Sequence, residues 1–292
     1  MIGLKTLKRI LLATATLGFA AHAAASTLTL DVYNPGAKAI FPVTSVLVSG
    51  EKDAILVDAQ FGKSQAEQVV EKIRASGKRL TTIYISHGDP DYYFGLDTLT
   101  AAFPNAKVLA SQPTVDHIKK TVDGKLAFWG PKMGADVPAK ISVPDVLEGG
   151  SLMLEGQKLQ VMGLDGKQPD RTFVWIPSIK AVVGGVVIAE NIHVWMADTQ
   201  TAQSHADWLA TLHAIEALKP DIVVPGHYLG DSARSLAAVQ FTAGYIKAFD
   251  EETAKVTNSA ALIAAMKKRY PTLGEESSLE LSAKVAMGEM KW

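Results

Sequence analysis

Residues Ser86-His87-Gly88-Asp89-Pro90-Asp91-Tyr92-Tyr93-Phe94-Gly95 follow a run, Leu80 to Ile85, rich in β-branched residues. The run reads as a strand that stops in a loop crowded with metal-capable side chains. His87, Asp89 and Asp91 alternate, so in an extended backbone they point the same way, with Gly88 and Pro90 shaping the turn. Such a set suits a hard or borderline cation. The same residues also fit a plain turn, in which Asp91 caps a helix that begins near Tyr92.

Working outward, Leu28 to Tyr33, Ser45 to Ser49 and Ala54 to Val57, the last closed by Asp58, read as antiparallel strands. Ala66, Val69, Val70 and Ile73 recur at helical spacing between Gln65 and Ala75, and Ser76-Gly77 ends that helix. Beyond the loop, Lys107 to Ala110 reads as a strand, Thr114 to Thr121 as a short helix, and Asp123 to Pro144 as a lid-like or surface insertion. Strands are expected at Ser151 to Leu154, Leu159 to Leu164, Thr172 to Ile176 and Ala181 to Ile188. A helix follows from Ser204 to Leu218, and the short run Asp221 to Val224 ends in Pro225-Gly226-His227. Helices at Ser235 to Phe249, Ser259 to Tyr270 and Ser277 to Met287 form a C-terminal extension. No linker interrupts residues 26–292, which are taken as one domain.

Composition narrows the function. The chain has 292 residues, 48% hydrophobic and 20% charged, the balance of a globular protein with a sizeable core. Lys plus Arg is 29 against 30 for Asp plus Glu, which offers no footprint for nucleic acid. No cysteine is present, so disulfides and thiolate metal sites are excluded. Residues 1–25 read as a secretory signal peptide: Lys5, Lys8 and Arg9 precede the apolar stretch Ile10 to Ala21, and Ala21-His22-Ala23 or Ala23-Ala24-Ala25 supplies small residues for cleavage. The expectation is a periplasmic or secreted protein whose partner is a small molecule. Membrane attachment is not expected after cleavage, because no later apolar run approaches the ~20 residues of a helical span. Loss of the leader takes the formal charge from −1 to −4.

Six histidines remain. His117, His205 and His213 sit inside helical patterns and read as structural, whereas His87 and His227 each follow a strand beside glycine, where loops converge on a site.

Together, Asp58, the loop Ser86 to Gly95 and Val224-Pro225-Gly226-His227 resemble the metallo-β-lactamase superfamily of hydrolases, over residues 28 to 230. That family's loop reads Ser/Thr-His-x-His-x-Asp-His-x-x-Gly. His87, Asp91 and Gly95 match it, while Asp89 and Tyr92 stand where the second and third histidines belong. Asp165-Gly166 replaces a downstream histidine, and the bridging aspartate falls at Gly184 or Gly185. The resemblance implies an α/β, four-layer αββα sandwich with its site at one edge of two sheets. It further implies a hydrolase of a small ester, lactone, amide or related bond. One divalent metal ion would be held by His87, Asp89, Asp91, Asp165 and His227, with zinc first and iron or manganese as alternatives. Asp91 is then the proton acceptor for a metal-activated water, and Tyr92 or Tyr93 the hydrogen-bond donor to a developing oxyanion. Tyr93 and His193 are assigned to substrate contact; the competing reading of His193 is a hydrogen-bonded core residue against Trp195. Two other functions fit the altered motif: a catalytically silent binding protein, and a metal-free hydrolase using His87 with a carboxylate. A β-lactam substrate has no support in the sequence.

Overall fold

The computed structural model describes residues 27–292, so the leader assigned to residues 1–25 lies outside the described residues. The first sheet runs in the order β1 (Thr29–Tyr33), β2 (Ser45–Ser49), β3 (Asp53–Val57), β4 (Arg79–Ile85), β5 (Lys107–Ala110), β6 (Asp145–Val146). Its first three strands are antiparallel, as their short apolar runs suggest, and β3 to β6 are parallel. The second sheet has β7 (Ser151–Leu154), β8 (Gln157–Met162), β9 (Phe173–Ile176) and β10 (Ala181–Val183) in antiparallel sequence. A short strand, β12 (Ile222–Val223), is added parallel to β10. A two-stranded ribbon of β11 (Ala189–Glu190) and β13 (His227–Tyr228) closes the site end.

Strand alternation builds the layers. Val46, Val48, Ile55, Val57 and Tyr84 point from the first sheet into a core shared with Leu152, Leu159, Val161, Val174 and Val183 of the second. The intervening residues, among them Leu47, Leu56, Ile83 and Ile85, face the opposite way and meet helices. Helix α1 (Lys63–Ser76) covers that face with Ala66, Val69, Val70 and Ile73, the stripe legible in the sequence. Helices α2 (Pro90–Tyr93), α3 (Leu96–Ala102) and α4 (Gln112–Met133) follow on the same side. Across the second sheet lie α5 (Ala202–Ala217) and α6 (Leu236–Thr253), then α7 (Ser259–Arg269) and α8 (Glu276–Ala286). This is the four-layer αββα sandwich.

Two expectations need correction. The segment Asp123 to Pro144 is no lid: residues 112–133 form one helix, capped at its start by Ser111 Oγ accepting from Thr114 N–H. Val115, Ile118, Val122, Leu126, Trp129 and Met133 keep helical spacing throughout, but Gly124 and Pro131 look like breakers. Burial of Trp129 against Phe41 and Phe61 outweighs their propensity cost. The strand expected from Ala181 to Ile188 stops at Val183, because Gly184 and Gly185 both adopt positive φ, +74° and +86°. The chain there turns out of the sheet and towards the ribbon.

Candidate active site

The ends of β3 and β4 are tied together first. Asp58, in the left-handed region at φ +67°, accepts hydrogen bonds from Ser86 N–H and Ser86 Oγ–H, both at 2.8 Å. Burial pushes its carboxyl up to about 7, with the Ser86 and Gly185 donors pulling the other way. The knot presents His87 at the top of the sheet, only 1% exposed.

His87 is engaged at both ring nitrogens. Its Nδ1–H donates to the Asp170 carbonyl at 2.9 Å, and Nε2 faces Asp89 Oδ2 at 3.1 Å. A carbonyl and a carboxylate can only accept, so this pair of contacts calls for the doubly protonated ring. Burial works against that charge, but the Asp89 charge and hydrogen bond prevail and hold His87 above its ordinary value. Asp89 is held well below its own despite burial, by His87 and by Lys125. The Lys125 ammonium, brought in by α4, lies 3.1 Å from Asp89 Oδ1 and 3.6 Å from Asp198 Oδ1.

A second pair sits alongside. His227, positioned by the ribbon pairing of Ala189 with His227, donates Nε2–H to Asp91 Oδ2 at 2.7 Å. Its Nδ1 meets the Tyr92 hydroxyl at 3.1 Å. Tyr92 stands edge-on to both imidazoles, with ring centroids 5.5 Å from each. Burial, then the Asp91 charge, raises the phenol well above its ordinary value, so the hydroxyl is a neutral donor. Asp91 lies within the first turn of α2, which begins at Pro90, so the capping position falls to Asp89.

The structure therefore brings together His87, Asp89, Asp91, Tyr92 and His227, and leaves the other three assigned residues elsewhere. Asp165 is exposed in the turn after β8 and lines a separate hollow, because β8 ends at Met162 and the chain bends outward before the sheet edge. His193 is a core residue: its Nδ1 bonds the Tyr245 hydroxyl at 3.0 Å, and burial pulls its pKa down to about 4. It does not line the cleft beside the site, whereas its neighbours Ile192 and Val194 do. Tyr93 is fully buried beside Phe94, and its hydroxyl has no hydrogen-bond partner among the described residues. One turn of α2 sends Tyr92 to the site and Tyr93 into the core.

Sequence reasoning left further residues of this cluster without a role. His117, read as structural, bonds Asp170 Oδ2 at 2.7 Å and packs 5.5 Å from the His87 ring. Arg171 is buried over the Trp208 ring, 4.4 Å from its centroid. Asp170 and Arg171 reach the site through the bridge between His87 and Arg171, and Thr172 Oγ1–H donates to the Ser86 carbonyl. The available signal was the helical period running through Gly124, which would have carried α4 far enough to deliver Lys125.

These residues do not fit a metal centre. Among the described residues, no group of three or more His, Asp or Glu side chains is arranged to hold an ion. A histidine ligand must offer a lone pair, yet His87 gives both nitrogens to acceptors, and the one lone pair of His227 faces a phenol. Asp89 already has an ammonium against it. At Gly184, the candidate position for a bridging aspartate, an added Cβ would lie 2.6 Å from Val57 Cγ1 at a φ that side chains rarely adopt. The expected ion, zinc, iron or manganese, is thus replaced by two closed carboxylate–imidazole pairs and a resident ammonium.

Residues 40–227 match the model of the metallo-beta-lactamase superfamily. The chain belongs to this superfamily. Its sandwich resembles a metallo-beta-lactamase family protein from Thermus thermophilus, with a TM-score of 0.63 and 16% identity over 90% of this chain and 93% of that one. A metallo-beta-lactamase from Pontibacter korlensis aligns with a TM-score of 0.57 and 17% identity, covering 77% of this chain and 96% of that one. Among curated proteins, the uncharacterized protein YobT of Bacillus subtilis (strain 168) is 36% identical over 74 residues, 25% of this chain and 31% of the relative. The match thus spans about a third of that relative's length. At these identities the structural likeness is one of fold.

Proposed function

We propose that the protein is an exported hydrolase of a small ester, lactone, amide or related bond, and that its proton transfers run on its own side chains. The observation that carries this reading is the chain Tyr92 hydroxyl, His227, Asp91, whose members line the same cleft as Lys125. Aromatic and apolar side chains line the cleft together with these few polar groups, the lining of a small-molecule site.

In this reading a water attacks the substrate carbonyl carbon and passes its proton to the Tyr92 oxygen, as Tyr92 passes its own to His227 Nδ1. Asp91 holds Nε2–H and stabilises the imidazolium that forms. Lys125, whose charge is favoured by Asp89 and Asp198 over the cost of burial, faces the developing oxyanion. As the bond to the leaving group breaks, the proton returns along the same chain to the departing oxygen or nitrogen.

Support comes from superfamily membership and, among the described residues, from side chains already committed to one another rather than arranged as a metal ligand set. The test is a panel of para-nitrophenyl esters and lactones with mature protein, in the presence and absence of chelator. At least one member should be turned over, chelator should change nothing, and His227→Ala should cost about 10²-fold to 10⁴-fold. Wild-type protein silent on the whole panel would favour the binding-protein reading. Mass spectrometry of exported protein should find an N-terminus near Ala24 or Ser26.

A further inference from the structure

The chain has five tryptophans, and four of them, Trp129, Trp195, Trp208 and Trp292, line the one cleft that also holds the Tyr92 chain. The rings do not stack flat. Trp129 and Trp195 are 6.4 Å apart and inclined by 51°, Trp195 and Trp292 5.3 Å apart and inclined by 69°, and Phe41 meets Trp195 at 87°. Packed edge-to-face or tilted against one another, the rings form an aromatic wall to the cleft. Such walls attract cations through the negative face of each ring.

One cation already uses them: Lys125 Nζ sits 4.7 Å from the Trp292 ring centroid. Four carboxyl groups line the same cleft, and three have a basic partner. Asp91 has His227, Asp89 has His87 and Lys125, and Asp198 has Lys125. The fourth, Glu275, has no basic side chain within ion-pair distance among the described residues; its polar contact is the Ser278 hydroxyl at 3.5 Å, and His227, already held by Asp91, acts on it only from beyond that distance. A half-buried carboxylate in an aromatic cleft, with no counter-charge of its own, is an incomplete ion pair.

We infer that the ligand completes it: the cleft recognises a small organic cation, an alkylammonium or trimethylammonium group, held among the tryptophan faces with Glu275 as its counter-charge. An anionic ligand meets the opposite situation at Glu275, whose carboxylate repels it. For catalysis the inference rests on the hydrolase reading, with the substrate then an ester or amide of an amino alcohol or related amine; as a statement about binding it stands alone.

Three molecules of nearly one shape test it: choline, neohexyl alcohol, in which tert-butyl replaces trimethylammonium, and pivalate. Binding to the mature protein is read from tryptophan fluorescence. Choline should bind about tenfold more tightly than neohexyl alcohol, and pivalate more weakly than either. Glu275→Gln should weaken choline about fivefold to tenfold and leave neohexyl alcohol unchanged, with circular dichroism and thermal midpoint showing that the variant is folded. Equal affinity for choline and neohexyl alcohol would overturn the inference, as would tightest binding of pivalate, no binding of choline, or a Glu275→Gln variant that binds choline as before. Tyr92→Phe separates the two readings, because it should lower ester turnover about 10²-fold to 10⁴-fold and leave the ratio of choline to neohexyl alcohol affinity unchanged. Choline binding without turnover of any ester by wild-type protein would sink the hydrolase reading alone.

Discussion

The Tyr92 hydroxyl lies 3.1 Å from His227 Nδ1, joining the loop after the fourth strand to a residue 135 positions later. The imidazole faces a phenol on one nitrogen, and Asp91 on the far nitrogen completes the line. The pair decides how the site can work, because it turns two would-be ligands into a donor and an acceptor of protons.

Replacing Tyr92 with Phe removes one hydroxyl and little volume. Turnover should fall about 10²-fold to 10⁴-fold, with a stability loss of about 1 kcal/mol from the missing hydrogen bond. Steady-state kinetics on the best ester found, with urea unfolding alongside, checks both. Activity within about twofold of wild type would remove Tyr92 from the reaction.

Lys125→Met keeps the length of the side chain and deletes its charge. If the ammonium stabilises the oxyanion, kcat should drop about 10²-fold to 10³-fold with KM little changed. The variant should also be less stable, since Asp89 loses one of its two cations. A rise in KM at constant kcat would instead assign Lys125 to ground-state binding.

Stability should depend on pH through the His87–Asp89 pair. His87 is held above its ordinary 6.5, so the folded state binds its proton more tightly. That contribution is complete below pH 6.5 and fades as pH rises through the folded value. Asp89 is held well below 3.8, and its contribution is present above that pH and lost on acidification through the folded value. Asp58, raised from 3.8 to about 7 by burial, lowers stability as pH rises between those two values and adds nothing to the slope above them. The two halves of the pair act together between about pH 4 and 6.5. Urea midpoints across that range and beyond should fall less steeply with rising pH in Asp89→Asn than in wild type. Parallel curves would mean the pair contributes nothing.

Restoring a bridging carboxylate by Gly184→Asp should fail. The new Cβ would press on Val57 Cγ1 at 2.6 Å and on Asp58 Oδ2 at 3.1 Å, at φ +74°. We expect a loss of about 3 kcal/mol or more and no gain of zinc. Urea unfolding and zinc titration calorimetry measure the two outcomes. A stable variant that binds zinc tightly would show that the metal site is only one substitution away.

What could be read along the chain was whatever short-range pattern carries. Period-two alternation in Ile55, Leu56 and Val57 sorts side chains between two cores, and the stripe of Ala66, Val69, Val70 and Ile73 marks the covering helix. The crowded loop after Ile85 and the glycine before His227 marked where the site would be. What the chain could not disclose was which charges meet. Asp89 closes on His87 two residues away, but Lys125 comes from a helix whose Gly124 and Pro131 hide its length, and Glu275 comes from a segment beyond the family match. Ligand identity depends on lone-pair direction and on counter-charges within a few ångströms, and those are fixed by packing between layers, not by spacing in the sequence. The sequence alone established a sandwich with two imidazoles at its edge. Tertiary packing determined that each would bond to a carboxylate, since the buried acids found protonated or ammonium partners within the chain itself.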